Sequence, residues 1–125
     1  MTTKKQRQHA RYPLSWRIAL VFDETGERVA FHGKTRDLSL YGAAMHTHHN
    51  IVGGGTQIVL LAPPPLSVAD CQTIIEVKAR IVYSVYSSEN MCFRVGLQFT
   101  EFLNNSRAVL QTRLEHYTPA FGAAP

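Results

Sequence analysis

Between Leu14 and Phe99 the chain keeps returning to one pattern, an apolar residue at every second position, and that period most restricts its fold. Trp16, Ile18, Leu20 and Phe22 share one face of a segment from Leu14 to Phe22, with Ser15, Arg17, Ala19 and Val21 on the other. Side chains alternate across a strand and recur every three to four residues on a helix, so this segment reads as a half-buried strand. Arg28 to Thr35 repeats the pattern, and Gly33 within it predicts a bulge. Gly42 to Thr47 and the continuous apolar run Thr56 to Leu61 follow. In Ile74 to Val85, the residues Ile75, Val77, Ala79, Ile81 and Tyr83 alternate with polar Glu76, Lys78 and Arg80. Met91 to Phe99 closes the series, with Gly96 marking a barrel corner or a close approach. Polar turns at Asp23 to Glu27 and Ser87 to Asn90 separate neighbours. Six such segments in tandem predict a mainly β fold, a six-stranded antiparallel barrel whose closure removes exposed edges.

The period then changes. Over Thr100 to Tyr117, Leu103, Leu110, Leu114 and Tyr117 fall on one helical stripe. Asn104 or Asn105 is the candidate cap and Pro119 the stop, while Arg113 and His116 suit the negative end of the helix dipole. Ala62 to Gln72, with Pro63, Pro64 and Pro65, reads as a loop, because prolines cannot donate to a central ladder. The expected organisation is a flexible basic arm over residues 1–13, a barrel with a C-terminal helix over 14–118, and an unstructured tail over 119–125.

Charge is concentrated at one end. Lys4, Lys5, Arg7, Arg11 and Arg17 occupy the first seventeen residues without an acidic neighbour, whereas the rest of the chain is near neutral. A neutral domain with a basic arm favours a local anionic ligand over a broad nucleic-acid footprint. No apolar run approaches the ~18 residues of a membrane helix, and no apolar h-region follows the basic N-terminus, so the expected location is cytosolic. Cys71 and Cys92 are 21 residues apart, a spacing of neither a zinc framework nor a redox pair, and read as free thiols. His46, His48 and His49 crowd one loop without a carboxylate or cysteine beside them, so they read as solvated histidines and no metal is expected. Gly53-Gly54-Gly55 lacks the lysine and hydroxyl of a phosphate loop.

One polar stretch interrupts the strands. Arg36-Asp37-Leu38-Ser39-Leu40-Tyr41-Gly42 puts a carboxylate and a hydroxyl two residues apart and a glycine three further on. A guanine base presents O6 and N7 acceptors, which match the fork of an arginine, and N1–H and N2–H donors, which match a carboxylate. Arginine also stacks on a base or clamps a phosphate. Asp37 with Arg7 and Arg11 is therefore a sufficient guanine-and-phosphate kit. Ser39 can bond a phosphate, a ribose hydroxyl or its own backbone, and Gly42 lets the turn close. The same residues also fit a plain turn in which Asp37 and Ser39 bond only to their own backbone.

Arg7-Gln8-His9-Ala10-Arg11 matches R-x-x-x-R, and Asp37 to Gly42 matches [D/N]-x-S-x-x-G. In order and separation the pair resembles the PilZ domain, a bacterial receptor module for cyclic di-GMP. Val95-Gly96-Leu97-Gln98-Phe99 resembles that family's closing strand. The resemblance covers roughly Arg7 to Tyr117. It implies a six-stranded barrel of the split-barrel type. It further implies that Arg7 and Arg11 grip guanine and phosphate of cyclic di-GMP, that Asp37 and Ser39 contact the ligand from the other side, and that Gly42 shapes the turn. Gln6 stands before the first arginine, where the family varies, and this leaves one or two ligand molecules per chain open.

The expectation is a non-enzymatic cyclic di-GMP receptor, with no other cofactor, that relays its state to a partner protein. By family analogy that output is motility, pili, exopolysaccharide or biofilm control. The alternatives are a small barrel binding RNA or single-stranded DNA, and a PilZ-like interaction module without nucleotide binding. No catalytic triad, paired catalytic carboxylates or metal set stands out.

Overall fold

A computed structural model describes residues 10–24, 26–68 and 72–119. Six strands, β1 (Arg17–Glu24), β2 (Glu27–Leu38), β3 (Gly42–Thr47), β4 (Thr56–Ala62), β5 (Ile75–Ser87) and β6 (Cys92–Phe102), precede one helix, α1 (Ser106–Leu114). Every strand pairing is antiparallel, and the sheet closes in the order β1-β2-β3-β6-β5-β4. The alternation read from sequence supplies the interior: Trp16, Ile18, Leu20 and Phe22 are all buried, with Met45, Val59, Leu61, Ile75, Val77, Val95 and Leu97. No described helix is long and apolar enough to cross a membrane.

Each end of the barrel is closed. At one, α1 inserts Leu110 and Leu114, and Tyr117 meets Trp16 edge-on at 6.2 Å. Arg113, expected near the negative end of the helix dipole, is buried there: its guanidinium donates to the carbonyl of Pro64 at 2.9 Å and to Thr73 Oγ1 at 3.1 Å. At the other end, the loop from β3 to β4 buries Ile51 and brings Gly53 against Phe22.

Several boundaries differ from the sequence reading. β1 starts at Arg17, and Leu14 to Trp16 form a lead-in held by Thr35, whose Oγ1 accepts from the Trp16 amide at 2.9 Å and donates to the Leu14 carbonyl. β2 runs on through Arg36, Asp37 and Leu38, which were expected in the loop. β6 continues to Phe102 because β5 still offers partners there, as Val77 lies opposite Phe102. The helix begins at Ser106, after Asn105, one of the two candidate caps, which caps it without a side-chain bond, and Leu103, counted on the helical stripe, lies before it. Cys92 is a buried free thiol, and Cys71 lies outside the described residues.

The register carries two irregularities that matter for function. One shift between β2 and β3 falls between Thr35 and Asp37, so the bulge is at Arg36 and not at the expected Gly33. Before it odd-numbered residues face inward, as buried Thr35 does; after it Leu38 is buried and Asp37 points out. The other lies between Ile81 and Tyr83 of β5, making Val82 the extra residue. It turns Tyr83 outward, where unbroken alternation had put it on the core face with Ile81. One extra residue exchanges the faces of everything beyond it.

Candidate functional site

The two bulges flank the paired strands β3 and β6. Across the sheet Asp37 lies opposite Ala44, Ala44 opposite Gly96, and Gly96 opposite Tyr83. The bulged strands thus raise a carboxylate and a phenol ring on either side of a floor made of Gly42, Ala44 and Gly96. Both glycines are required by space. A Cβ on Gly96 would stand 2.2 Å from the Tyr83 ring, and one on Gly42 would stand 2.3 Å from the Leu97 carbonyl oxygen. Positive φ is not the reason for Gly42, since only Gly26, Gly53 and Gly55 adopt it among the described glycines.

Above this floor lies an open groove of about 280 Å³, lined by Arg11, Asp37, Ser39, Tyr41, Arg94 and Gln98 as well as the floor and Tyr83. Four of the five residues singled out in the sequence, Arg11, Asp37, Ser39 and Gly42, meet here. The fifth, Arg7, lies outside the described residues.

Each comes to the groove for an identifiable reason. Tyr12 forms a ladder rung with Leu38: its amide donates to the Leu38 carbonyl at 2.8 Å, and the Leu38 amide donates back at 2.9 Å. Pro13 biases Tyr12 toward the extended conformation such a rung needs. This attaches the chain to β2 within the stretch assigned to the arm and leaves Arg11 lining the same groove as Asp37. Asp37 is turned out by the bulge, with Arg36 Nη1 3.6 Å from its Oδ2. That partner is half exposed and adds little to stability.

Ser39 serves the loop itself. Its hydroxyl oxygen accepts from the amides of Tyr41 at 3.0 Å and Gly42 at 3.2 Å, and its own amide donates to the Gly42 carbonyl at 2.9 Å. With the residue only 8% exposed, of the three roles open to it the structure shows the backbone one. The hydroxyl proton faces the Gly42 carbonyl at the long distance of 3.4 Å, so it remains available to a better acceptor.

Sequence reasoning missed Arg94, Tyr83 and Gln98. Arg94 lies on the outward face of β6 opposite His46, and its buried Nε has no hydrogen-bond partner among the described residues. The Nε2 of His46 is buried and unpartnered likewise. Burial holds the His46 pKa below its ordinary value, and the positive charges of Arg36 and Arg94 lower it further, with Asp37 opposing. A cationic site short of acceptors suits an anion. The alternation of Arg94, Gly96 and Gln98 was visible in the sequence; what it lacked was the non-local pairing that sets β6 beside β3. His48 and His49 are exposed, and no group of three metal-ligating side chains occurs among the described residues.

The sequence profile of the PilZ domain matches residues 5–116, so the chain belongs to the PilZ family. No curated protein matches it. Among solved structures, the Bacillus subtilis inhibitor of motility (MotI/DgrA) is similar with a TM-score of 0.67 and 13% identity over 87% of this chain. The chain spans 49% of that protein's length, about half. The PilZ domain of Escherichia coli YcgR with c-di-GMP is similar with a TM-score of 0.54 and 13% identity, covering 90% of this chain and 91% of that one. At such identity the likeness concerns the fold.

Proposed function

We propose that the chain is a cyclic di-GMP receptor and not an enzyme, and that the groove on β3 and β6 is its ligand site. The observation that carries this is the convergence of Arg11, Asp37, Ser39 and Gly42 on one groove with a side-chain-poor floor. Membership of the PilZ family supports it, as does the likeness to the YcgR PilZ domain, whose structure was solved with c-di-GMP.

A flat base lies against Gly42, Ala44 and Gly96. Asp37 accepts from guanine N1–H and N2–H, and Arg11 forks onto O6 and N7 or onto a phosphate. Arg94 supplies a second guanidinium to phosphate, and Tyr83 a ring face. Arg7 joins from the preceding segment when ligand binds, and the surface so created is what a partner protein reads. Losing one bidentate arginine removes ~1–3 kcal/mol, or roughly ten- to a hundred-fold in affinity.

Titration calorimetry with cyclic di-GMP tests the reading on the native chain, Arg11→Ala, Asp37→Ala and a chain lacking residues 1–11. The native chain should bind, the two point variants should bind at least tenfold more weakly, and the truncated chain should stay folded without binding. Equal heats from all four would refute it.

A second reading has one observation in its favour. Arg17, Lys34 and Arg94, with the imidazole of His46 between the last two, lie opposite one another on successive strands β1, β2, β3 and β6, a row with three cations that would suit single-stranded nucleic acid. Steeply salt-dependent oligonucleotide binding without a cyclic di-GMP response would establish it instead.

A further inference from the structure

We infer that the chain forms a two-fold dimer through the distal half of β5. The barrel is closed only where β4 reaches. β4 ends its pairing with Thr56 opposite Arg80, yet β5 continues for seven more residues, Ile81 to Ser87, paired with β6 alone. No backbone hydrogen bond from any other described segment reaches those residues. Among the described residues the one polar tie to a segment other than β6 is from Ser84 Oγ to Asn50 Oδ1, between side chains. One side of a β-ribbon is therefore an open edge, with its amides and carbonyls directed at solvent.

Proteins guard such edges with lysine, proline, inward charges or very short strands. None is present: the sequence Ile81-Val82-Tyr83-Ser84-Val85-Tyr86-Ser87-Ser88 contains no charge and no proline. The Val82 bulge twists only the root of the ribbon. Instead the stretch exposes apolar surface, with Val82 59%, Val85 51% and Tyr86 57% accessible. An uncharged, β-branched and aromatic edge of this length is built for strand addition.

The occupant it fits best is itself. Antiparallel pairing about an axis through Ser84 sets Ser84 against Ser84 of the partner subunit. It also sets Tyr83 against Val85 of the partner subunit, on both sides of the axis. Tyr83 and Val85 share the outward face, opposite Gly96 and Arg94 of β6, so aromatic meets β-branched twice per interface. With no charge on the edge, self-pairing brings no like charges together. An isologous contact of this kind closes at two copies and does not propagate. Tyr83 then stands both in the groove wall and in the dimer rung. The dimer is inferred from the edge alone and does not depend on which ligand the groove takes.

Sedimentation velocity from low-micromolar to several hundred micromolar protein, without ligand, tests this. The native chain should pass from monomer to dimer, with hydrogen exchange at Ile81 to Ser87 slowing as the dimer fills. Val85→Lys should weaken dimerisation by about tenfold or more, since symmetry places the charge in the interface twice, while Val85→Ile should leave it within about twofold. Ser84→Cys supplies a readout should the lysine variant not fold. Directly opposed residues of an antiparallel pair lie within disulfide reach, so mild oxidation should give a covalent dimer absent from the native chain treated alongside. A native chain that stays monomeric throughout, or a dimer indifferent to Val85→Lys and uncrosslinked by Ser84→Cys, would overturn the inference.

Discussion

Ser39 and Asp37 are two residues apart and share one groove, yet the structure gives them different work, and substitution should separate them. Ser39→Ala removes an oxygen that accepts two backbone amides at 3.0 and 3.2 Å. Leaving a buried donor unsatisfied costs ~1–3 kcal/mol. Because the Tyr41 side of the turn is exposed, one of the two can recover water, so the expected loss is about 1–2 kcal/mol. For a domain of this size that lowers the melting temperature by roughly 3–8 °C. Asp37→Asn keeps the shape and forfeits a half-exposed contact 3.6 Å from Arg36, so stability should change by less than about 0.5 kcal/mol. Affinity should show another order: Asp37→Asn loses a charge-assisted pair of acceptors, about tenfold or more, and Ser39→Ala also weakens binding through a loosened turn. Urea denaturation and calorimetry on the same preparations measure both. Ser39→Ala with native stability and lost affinity would place the hydroxyl on the ligand and refute the division.

Two further outcomes follow from the same geometry. Gly42→Ala drives a methyl into the Leu97 carbonyl and should destabilise by ~1–3 kcal/mol, whereas Gly54→Ala, which meets nothing within 4 Å, should be neutral or slightly stabilising; thermal melts compare them directly. His46 has a folded-state pKa below its unfolded value, so the unfolded chain binds more protons between the two. Its contribution is therefore complete above the unfolded pKa of ~6.5 and falls as pH drops toward the folded pKa; His46→Gln should flatten stability against pH in that window, as denaturation at a series of pH values would show.

The strands were legible because Trp16, Ile18, Leu20 and Phe22 state their period without help from the rest of the chain. The site was legible only in part. Asp37, Ser39 and Gly42 lie close in sequence, so their meeting is local. Arg94 and Gly96 reach them only through the pairing of β3 with β6, and no local pattern encodes which strands are neighbours. The bulges at Arg36 and Val82 were hidden for another reason: an extra residue that leaves the ladder has no required type. Unbroken alternation consequently puts Tyr83 on the wrong face. The helix start was legible in its cap, since Asn105 was one of the two asparagines marked, but Leu103 was counted on the helical stripe because Phe99, Phe102 and Leu103 continue the apolar pattern from strand into turn, where both periods accept them. Gly42 was marked for closing a turn, and what the structure shows is a need for room at the Leu97 carbonyl.

The rung between Tyr12 and Leu38 fixes a distance scale for the arginines before it. Successive Cα atoms are about 3.8 Å apart, and an extended chain gains at most ~3.6 Å per residue. Arg11 is thus held one step from a fixed point, and a segment of five residues, the separation of Arg7 from Tyr12 in the sequence, spans at most roughly 18 Å. One guanidinium in a sphere of that radius corresponds to a local concentration on the order of tens of millimolar. On the proposed reading, in which Arg7 contacts the ligand, the rung makes that contact an intramolecular event, and free guanidinium added to an Arg7→Ala chain would have to reach that concentration before it could stand in for the missing side chain.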